Sequence, residues 1–184
     1  IHPSLLPDFR GPAPIQFTIL HGHGKTGVSI IDLHPRTIDA GSILLQKSMY
    51  IERKDAIYYS DLEASLAELG GELTAQVLSD FPAFWQNKQA QDSKTLSFST
   101  KVTNADGIVT FEHDHYLHIS RKIRALSHQI PIRSIDLIPG RDVIMEDFIF
   151  LECDSETIRK FDYNRSLGAV VFRTKDYAYI GVKR

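Results

Sequence analysis

The side chain best suited to proton chemistry near the start of this sequence is the imidazole of His2. A histidine exchanges a proton near neutral pH, so one held in place can act as an acid, a base or a hydrogen-bond donor. His2 opens a stretch, residues 2–16, that contains Gly11 and the prolines Pro3, Pro7, Pro12 and Pro14. Because proline fixes its own φ and restricts the preceding residue, this stretch is predicted to be a stiff loop that holds its groups in place before a ligand arrives. Composition alone favours a plainer interpretation, a proline-rich connector with a surface histidine.

A carboxylate and two groups of histidines are the other candidates for chemistry. Asp39 precedes Ala40 and Gly41, and most aspartates in this setting are turn residues. The histidine groups, which could suggest metal sites, are His21 with His23 and His113 with His115 and His118. No cysteine or carboxylate at ligand spacing accompanies either group, whereas zinc requires three or four converging ligands. We therefore expect no metal.

The first half of the chain alternates between helical and strand patterns. Apolar spacing predicts a short helix over residues 15–21, and β-branched residues predict strands over residues 28–33 and 42–51, with the Asp39 loop between them. Ser60 and Glu63 have the spacing of a capping box, and an apolar stripe follows until Pro82. This alternation is typical of an α/β layer.

The second half of the chain has a different pattern. Residues 87–95 are almost wholly polar and predict a linker. Beyond it, residues 96–103 and 108–111 resemble strands, and apolar residues spaced three and four apart from Tyr116 to Ile130 predict a helix with a basic opposite face. Four more short strands are predicted over residues 135–138, 147–152, 169–173 and 177–182. We expect a small β-barrel.

Composition narrows the class of protein. The chain has 184 residues, 42% of them hydrophobic, a net charge of −2 and a single cysteine, Cys153. One cysteine excludes an intramolecular disulfide framework and fits a reducing compartment. No run approaches the roughly 18 apolar residues of a membrane span. Residues 1–95 carry a net charge of −3 and residues 96–184 one of +1, which is a weak indication that the second half contacts RNA.

The order of residue types in 2–16 favours a functional loop over a proline-rich connector. His-Pro-Ser-Leu-Leu-Pro at 2–7, Arg-Gly at 10–11 and Ala-Pro-Ile-Gln at 13–16 resemble the signature of the formyltransferases that use 10-formyltetrahydrofolate, and within them the methionyl-tRNA formyltransferases. The family motif opens with Asn-x-His, and this chain begins at Ile1, where the asparagine position is absent. The resemblance implies a piece truncated at both ends, and inactive by itself.

The resemblance implies a fold and a domain division. Residues 1–86 would be the C-terminal part of a Rossmann-like formyltransferase domain, and residues 87–95 the linker. Residues 96–184 would be an incomplete OB-like barrel that contacts tRNA. In this second half the resemblance rests on Thr100-Lys101-Val102-Thr103 and Arg124-Ala125-Leu126.

The resemblance also implies roles for particular residues. His2 would donate a hydrogen bond to the oxyanion formed on the formyl group, and Asp39 would orient His2, hold its charged form and accept or relay the proton of the attacking amine. The residues expected to border the folate are Ser4, Leu5, Leu6, Pro7 and Ile38. Those expected to contact tRNA are Lys101, Arg121, Lys122 and Arg124.

The implied partners are initiator methionyl-tRNA and 10-formyltetrahydrofolate as co-substrate, with no membrane and with the protein a monomer. The loop at His34, Pro35 and Arg36 resembles that of the mitochondrial members, which implies the mitochondrial matrix. Two alternatives stay open. One is another enzyme using the same folate, namely a glycinamide ribonucleotide or nucleotide-sugar formyltransferase or a formyltetrahydrofolate hydrolase. The other is a non-enzymatic RNA-binding remnant.

Overall fold

The computed structural model describes residues 1–92, 96–138, 140–145, 147–151, 161–165, 169–174 and 179–183. The chain divides into two compact units, Ile1–Val102 and Thr103–Arg184. Among the residues described, no helix has the length and hydropathy needed to cross a membrane.

The first unit is a layer of helices on a two-stranded antiparallel sheet. Its elements are α1 (Pro14–Leu20), β1 (Lys25–Ile31), β2 (Ile43–Tyr50), α2 (Tyr59–Ser79) and α3 (Phe81–Gln86). Strands β1 and β2 pair from Lys25 opposite Tyr50 onward, with an irregularity between Ile30 and Ile31. The helix and the two strands predicted over residues 15–51 are confirmed, with bounds that differ by a few residues.

Strand β1 is covered on both sides, which explains its nearly continuous burial. On one side lies α2, whose buried residues are Leu62, Leu66, Gly70, Leu73 and Val77. A side chain at Gly70 would touch Val28 of β1. On the other side, a side chain at Gly27 would overlap Leu5, so the loop of residues 2–16 packs directly on this strand. Strand β1 therefore supports the loop that carries His2.

The start of α2 differs from the predicted capping box. The N-cap residue is Tyr58, which has an extended backbone and makes no side-chain cap, and Ser60 lies inside the helix. Glu63 accepts a hydrogen bond of 2.7 Å from the hydroxyl of Tyr59. The capping-box prediction is wrong because the helix begins at Tyr59, before Ser60; the Glu63 carboxylate instead binds the phenol four residues earlier on the same helix face.

The end of α2 also differs from the prediction. The helix ends at Ser79, and Pro82 lies in the first turn of α3, where a missing N–H costs nothing. Asp80 is the N-cap of α3, and its carboxylate accepts a 3.4 Å hydrogen bond from the N–H of Ala83.

In its described residues, the second unit has one helix and two sheets. Its elements are β3 (Ile108–Val109), α4 (Tyr116–Leu126), β4 (Ile132–Ile138), β5 (Arg141–Met145), β6 (Asp147–Leu151), β7 (Phe161–Asn164), β8 (Ala169–Arg173) and β9 (Tyr179–Lys183). One sheet has the order β3-β4-β5 and the other the order β6-β9-β8-β7. Among the described strands no closed barrel is seen. Cys153, the single cysteine of the chain, lies outside the described residues.

The segment that joins the two halves packs on the first unit. Gln89 forms an antiparallel bridge with Ile43, and Phe98 forms a parallel bridge with Arg10. Residues 96–102 therefore belong to the first compact unit and form no strand of their own, unlike the predicted strand that opens a second domain. The reason is that their polar groups satisfy the irregular backbone of the loop that carries His2.

Candidate functional site

His2 is anchored as a strand-like neighbour of β1. Its N–H donates to the carbonyl of Ser29 at 2.8 Å, and the N–H of Ser29 donates back at 2.9 Å. The side chain is buried, and Nε2 lies 3.0 Å from the carbonyl oxygen of Phe9. Because a carbonyl can only accept, Nε2 carries a proton. The backbone and one ring nitrogen of His2 are thus both held by the fold.

Asp39 approaches the other ring nitrogen from the loop between β1 and β2. Its Oδ1 lies 3.7 Å from His2 Nδ1, and its Oδ2 accepts a 3.1 Å hydrogen bond from the N–H of Gly11. The backbone of Asp39 is left-handed, with φ +56°. The side-chain amide of Gln91 holds this loop by donating to the carbonyls of Asp39 and Gly41, each at 2.8 Å. The structure therefore brings the two predicted catalytic side chains together.

Opposing effects determine the protonation state of His2. Burial of the imidazole lowers its pKa below the ordinary 6.5, and this outweighs the Phe9 carbonyl and the Asp39 carboxylate, which both raise the pKa. At neutral pH the ring is therefore uncharged, with its proton on Nε2. Asp39 favours the charged form of His2, as expected, but burial of the ring has the larger effect on the pKa and acts in the opposite direction.

The residues expected to border the folate have different surroundings. Ser4 is buried, and its hydroxyl donates to the carbonyl of Asp8 at 2.5 Å. Leu6 is also buried; its N–H donates to Ser29 Oγ at 3.1 Å, and its carbonyl accepts from Gln46 Nε2 at 3.0 Å. Both residues therefore stabilise the loop, Ser4 by a hydrogen bond within it and Leu6 by hydrogen bonds to the two strands.

The other three residues of this group are more accessible. Leu5 and Pro7 are half-buried, and Ile38, next to Asp39, is 83% exposed. Of the five, Ile38 thus presents the most apolar surface to a ligand.

Three contributors to the site were not predicted. Phe9 supplies the carbonyl that binds His2, and Ser97 and Ser99 hold the backbone of Phe9 from a distant part of the chain. Ser97 and Ser99 follow a polar stretch with no motif, so no local pattern distinguishes them from surface serines.

The basic residues expected to contact tRNA lie in both units. Lys101 is exposed in the first unit. In the second unit, Arg121 and Lys122 are half-buried, and the ammonium of Lys122 donates to the carbonyl of Ile108 at 2.6 Å. Arg124 is only 3% exposed. The predicted solvent face of α4 is wrong for Arg124, because it shares a buried face with Ser120, one turn earlier.

The first group of histidines considered as metal ligands, His21 and His23, contacts aromatic rings and a backbone carbonyl. His21 stacks on Phe17 with 5.6 Å between ring centroids, and its Nδ1 donates to the carbonyl of the same residue at 2.9 Å. The ring of His23 lies 5.1 Å from that of Phe9. Over the described ranges, no group of three or more His, Cys, Asp or Glu side chains is arranged to hold a metal ion.

Comparison with known proteins relates the segment that contains His2 and Asp39 to a known family. The family model described as formyl transferase matches residues 1–78, which include both His2 and Asp39. The mitochondrial methionyl-tRNA formyltransferase of Mus musculus is 30% identical, over 100% of this chain and 49% of its own length. The methionyl-tRNA formyltransferase of Ehrlichia ruminantium strain Welgevonden is 42% identical, over 68% of this chain and 39% of its own length. The chain thus spans less than half of either relative.

A solved structure shows a likeness in fold over nearly the whole chain. HypX from Aquifex aeolicus in complex with tetrahydrofolic acid superimposes with a TM-score of 0.74 at 18% identity, over 98% of this chain and 30% of that one. At this identity the likeness concerns the fold. Residues 1–78 match the formyl transferase family, and the chain as a whole is similar to methionyl-tRNA formyltransferases.

Proposed function

We propose that this chain carries the His–Asp part of the active site of a methionyl-tRNA formyltransferase. The reaction transfers a formyl group from 10-formyltetrahydrofolate to the amino group of initiator methionyl-tRNA. The observation that carries the proposal is the convergence of His2 and Asp39, at 3.7 Å, inside the segment that matches the formyl transferase family.

The geometry suggests how the proton moves. The amine attacks the formyl carbon, a C–N bond forms, and the carbonyl oxygen becomes an oxyanion. Nδ1 of neutral His2 has a lone pair, since Nε2–H is bound to Phe9, so Nδ1 accepts the proton that the amine loses. The imidazolium then donates to the oxyanion and is stabilised by Asp39. The same proton passes to N10 of the folate as the bond from carbon to N10 breaks.

The loop around these two residues would form part of the folate site. Ser4 and Leu6 keep the loop rigid through their hydrogen bonds. Leu5 and Pro7 would line the site, and the exposed Ile38 would cover an apolar face of the folate. Preformed walls of this kind reduce the entropy lost when a ligand binds.

The second unit would contact tRNA. We propose that it corresponds to an OB-like domain and that its Arg121 and Lys122 approach the phosphate backbone, as does Lys101 near the end of the first unit. Arg124, which is buried, would support α4 instead of contacting RNA. The mitochondrial relatives favour the mitochondrial matrix as the compartment, with initiator methionyl-tRNA and the folate as partners of a monomer.

The test is a formyl-transfer assay with 10-formyltetrahydrofolate and charged initiator tRNA. It compares the 184-residue chain with an extended chain, in which the upstream part of the mouse relative, including the motif asparagine, is joined before Ile1. We expect turnover only by the extended chain. Transfer to glycinamide ribonucleotide or to a nucleotide amino sugar, or hydrolysis of the folate, would identify another enzyme of the family. Binding of tRNA without any transfer would favour the RNA-binding remnant.

A further inference from the structure

The carbonyl that binds the His2 imidazole belongs to a strained residue. Phe9 has φ +54°, in the left-handed region that residues other than glycine rarely adopt. Such a conformation is unfavourable for a residue with a side chain and persists only where surrounding contacts impose it. Since Nε2 of His2 donates to the Phe9 carbonyl at 3.0 Å, the contacts that impose this conformation also determine the direction of that hydrogen bond.

The ring of Phe9 packs against Phe17, His21 and His23, and its backbone is held by residues 97–99, which we name the serine strap. The N–H of Phe9 donates to Ser97 Oγ at 2.9 Å, and Ser99 Oγ donates to the Phe9 carbonyl at 3.2 Å. The strap also pairs with the next residue, because Arg10 N–H donates to the Ser97 carbonyl at 3.0 Å and Ser99 N–H donates to the Arg10 carbonyl at 2.8 Å. Both polar backbone groups of Phe9 are thus held by two hydroxyls.

The Ser99 hydroxyl has little freedom to move. Ser99 is 3% exposed, and its Oγ accepts a hydrogen bond from Ala13 N–H at 3.2 Å. A side chain at Gly11 would overlap the Ser99 carbonyl, so the strap and the loop are packed without a gap. The donated proton is therefore directed to the carbonyls of Phe9 and Arg10, the latter at 3.3 Å.

We propose that Ser99, assisted by Ser97, is a positioning residue that fixes the tautomer of His2. By holding the Phe9 carbonyl in line with Nε2, it keeps the proton on Nε2 and leaves Nδ1 as the nitrogen that faces Asp39. Without that hydroxyl, Phe9 relaxes from its left-handed conformation and the ring takes both tautomers. The part played in formyl transfer rests on the proposed function, whereas the effect on the tautomer does not.

The first experiment measures the tautomer directly in the 184-residue chain. Histidines are labelled with 15N, the His2 signals are assigned by their loss in His2→Asn, and the ring nitrogen shifts are followed in Ser99→Ala at pH 7.5. In the unsubstituted chain we expect the Nε2–H form to dominate. In Ser99→Ala we expect the Nδ1–H fraction to rise at least several-fold, and Ser97→Ala to act in the same direction. An unchanged tautomer ratio in a folded Ser99→Ala chain would overturn the proposal.

Two further variants keep the result interpretable. Thr18→Val removes a buried hydroxyl of the same unit, which donates to the Pro14 carbonyl at 2.9 Å, and should leave the His2 shifts unchanged. A His2 shift of equal size in Thr18→Val would mean that any buried defect produces the effect, and would overturn the proposal. If Ser99→Ala does not fold, Ser99→Cys supplies a side chain of similar size and a weaker donor, with an intermediate ratio expected and a wild-type ratio counting against the proposal.

The second experiment uses the extended chain defined above. Ser99→Ala should lower kcat about tenfold and leave KM for the folate within about twofold, because the strap orients a reacting group without touching substrate. An unchanged kcat in an active extended chain would overturn the catalytic part. If the unsubstituted extended chain transfers no formyl group, the proposed function fails, and the nitrogen shifts still decide the role of the strap.

Discussion

The two carboxylate oxygens of Asp39 have different partners: Oδ1 lies 3.7 Å from His2 Nδ1, and Oδ2 accepts a 3.1 Å hydrogen bond from the N–H of Gly11. A single carboxylate therefore contacts the candidate catalytic ring and the backbone of the loop that carries it. Because the Oδ2 contact restrains the carboxylate, Oδ1 is presented to the ring in a defined direction. A substitution at Asp39 is expected to affect both the orientation and the charge of His2.

We expect His2→Asn and Asp39→Asn to reduce formyl transfer by the extended chain at least about 100-fold. In the proposed mechanism His2 is the proton acceptor, and a positioned acid or base typically contributes about 100- to 10,000-fold. The measurement is the single-turnover rate with charged initiator tRNA. His113→Asn is the control, since this exposed histidine lies in the second unit, and it should keep the rate within about twofold. A 100-fold loss in the control, or full activity in Asp39→Asn, would contradict the assignment.

Stability should depend on pH through His2. The folded chain binds the His2 proton less readily than the unfolded chain, so its stabilising contribution is complete above the ordinary pKa of 6.5 and is lost as the pH falls below it. Between pH 7.5 and 5.5 the unsubstituted chain should lose stability relative to His2→Asn, by at most about 1.4 kcal/mol per pH unit. Urea unfolding followed by the fluorescence of Trp85, the single tryptophan, measures this in the first unit. An identical difference at both pH values would refute the prediction.

Gly11→Ala should strongly destabilise the first unit. Gly11 has φ +120°, where an alanine is strained, and the added methyl group would overlap the carbonyl of Ser99. We expect a loss of roughly 2–4 kcal/mol in the free energy of unfolding, measured by Trp85 fluorescence. Gly71→Ala is the matched control, because no atom lies within 4 Å of an added Cβ in the interior of α2, and it should gain up to about 1 kcal/mol. Equal effects of the two substitutions would show that the Gly11 contact is unimportant.

The ion pair between Lys88 and Asp32 should stabilise the Asp39 loop more than a surface pair does. Its atoms are 2.6 Å apart, Asp32 also accepts from Ser42 N–H at 2.5 Å, and Lys88 lowers the pKa of Asp32. Lys88→Met should cost roughly 1–2 kcal/mol in the free energy of unfolding.

The comparison is with Lys47→Met, which removes an exposed pair with Glu72 at 3.7 Å and should change the stability by less than about 0.5 kcal/mol. Circular dichroism is the suitable probe for both variants, because the ammonium of Lys88 lies 3.5 Å from the Trp85 ring centroid and its loss would itself alter the fluorescence. Equal losses in the two variants would argue against a special role for the Lys88 pair.

The sequence predicted the secondary-structure elements well where local patterns alone specify them. The stiff loop, the strands β1 and β2 and the apolar stripe of α2 are specified by prolines, β-branched residues and helical spacing, which act over a few neighbouring residues. The cap of α2 was mispredicted because Ser60 and Glu63 match a motif whose outcome depends on where the helix begins, and it begins at Tyr59. The solvent face of α4 was mispredicted at Arg124, since helical spacing does not say how wide the buried face is.

By itself the sequence determined which side chains could carry the chemistry, because the identities and the order of His2 and Asp39 within a stiff loop motif are covalent facts. The tertiary structure alone decided the distance between them and the charge of His2. The distance between His2 and Asp39 depends on how two loops pack on β1, and the lowered pKa of His2 depends on its burial. The tautomer depends on the Phe9 carbonyl, whose conformation is imposed by Ser99 from a remote part of the chain. Burial, tautomer and strain arise from contacts between distant residues, which local sequence patterns do not encode.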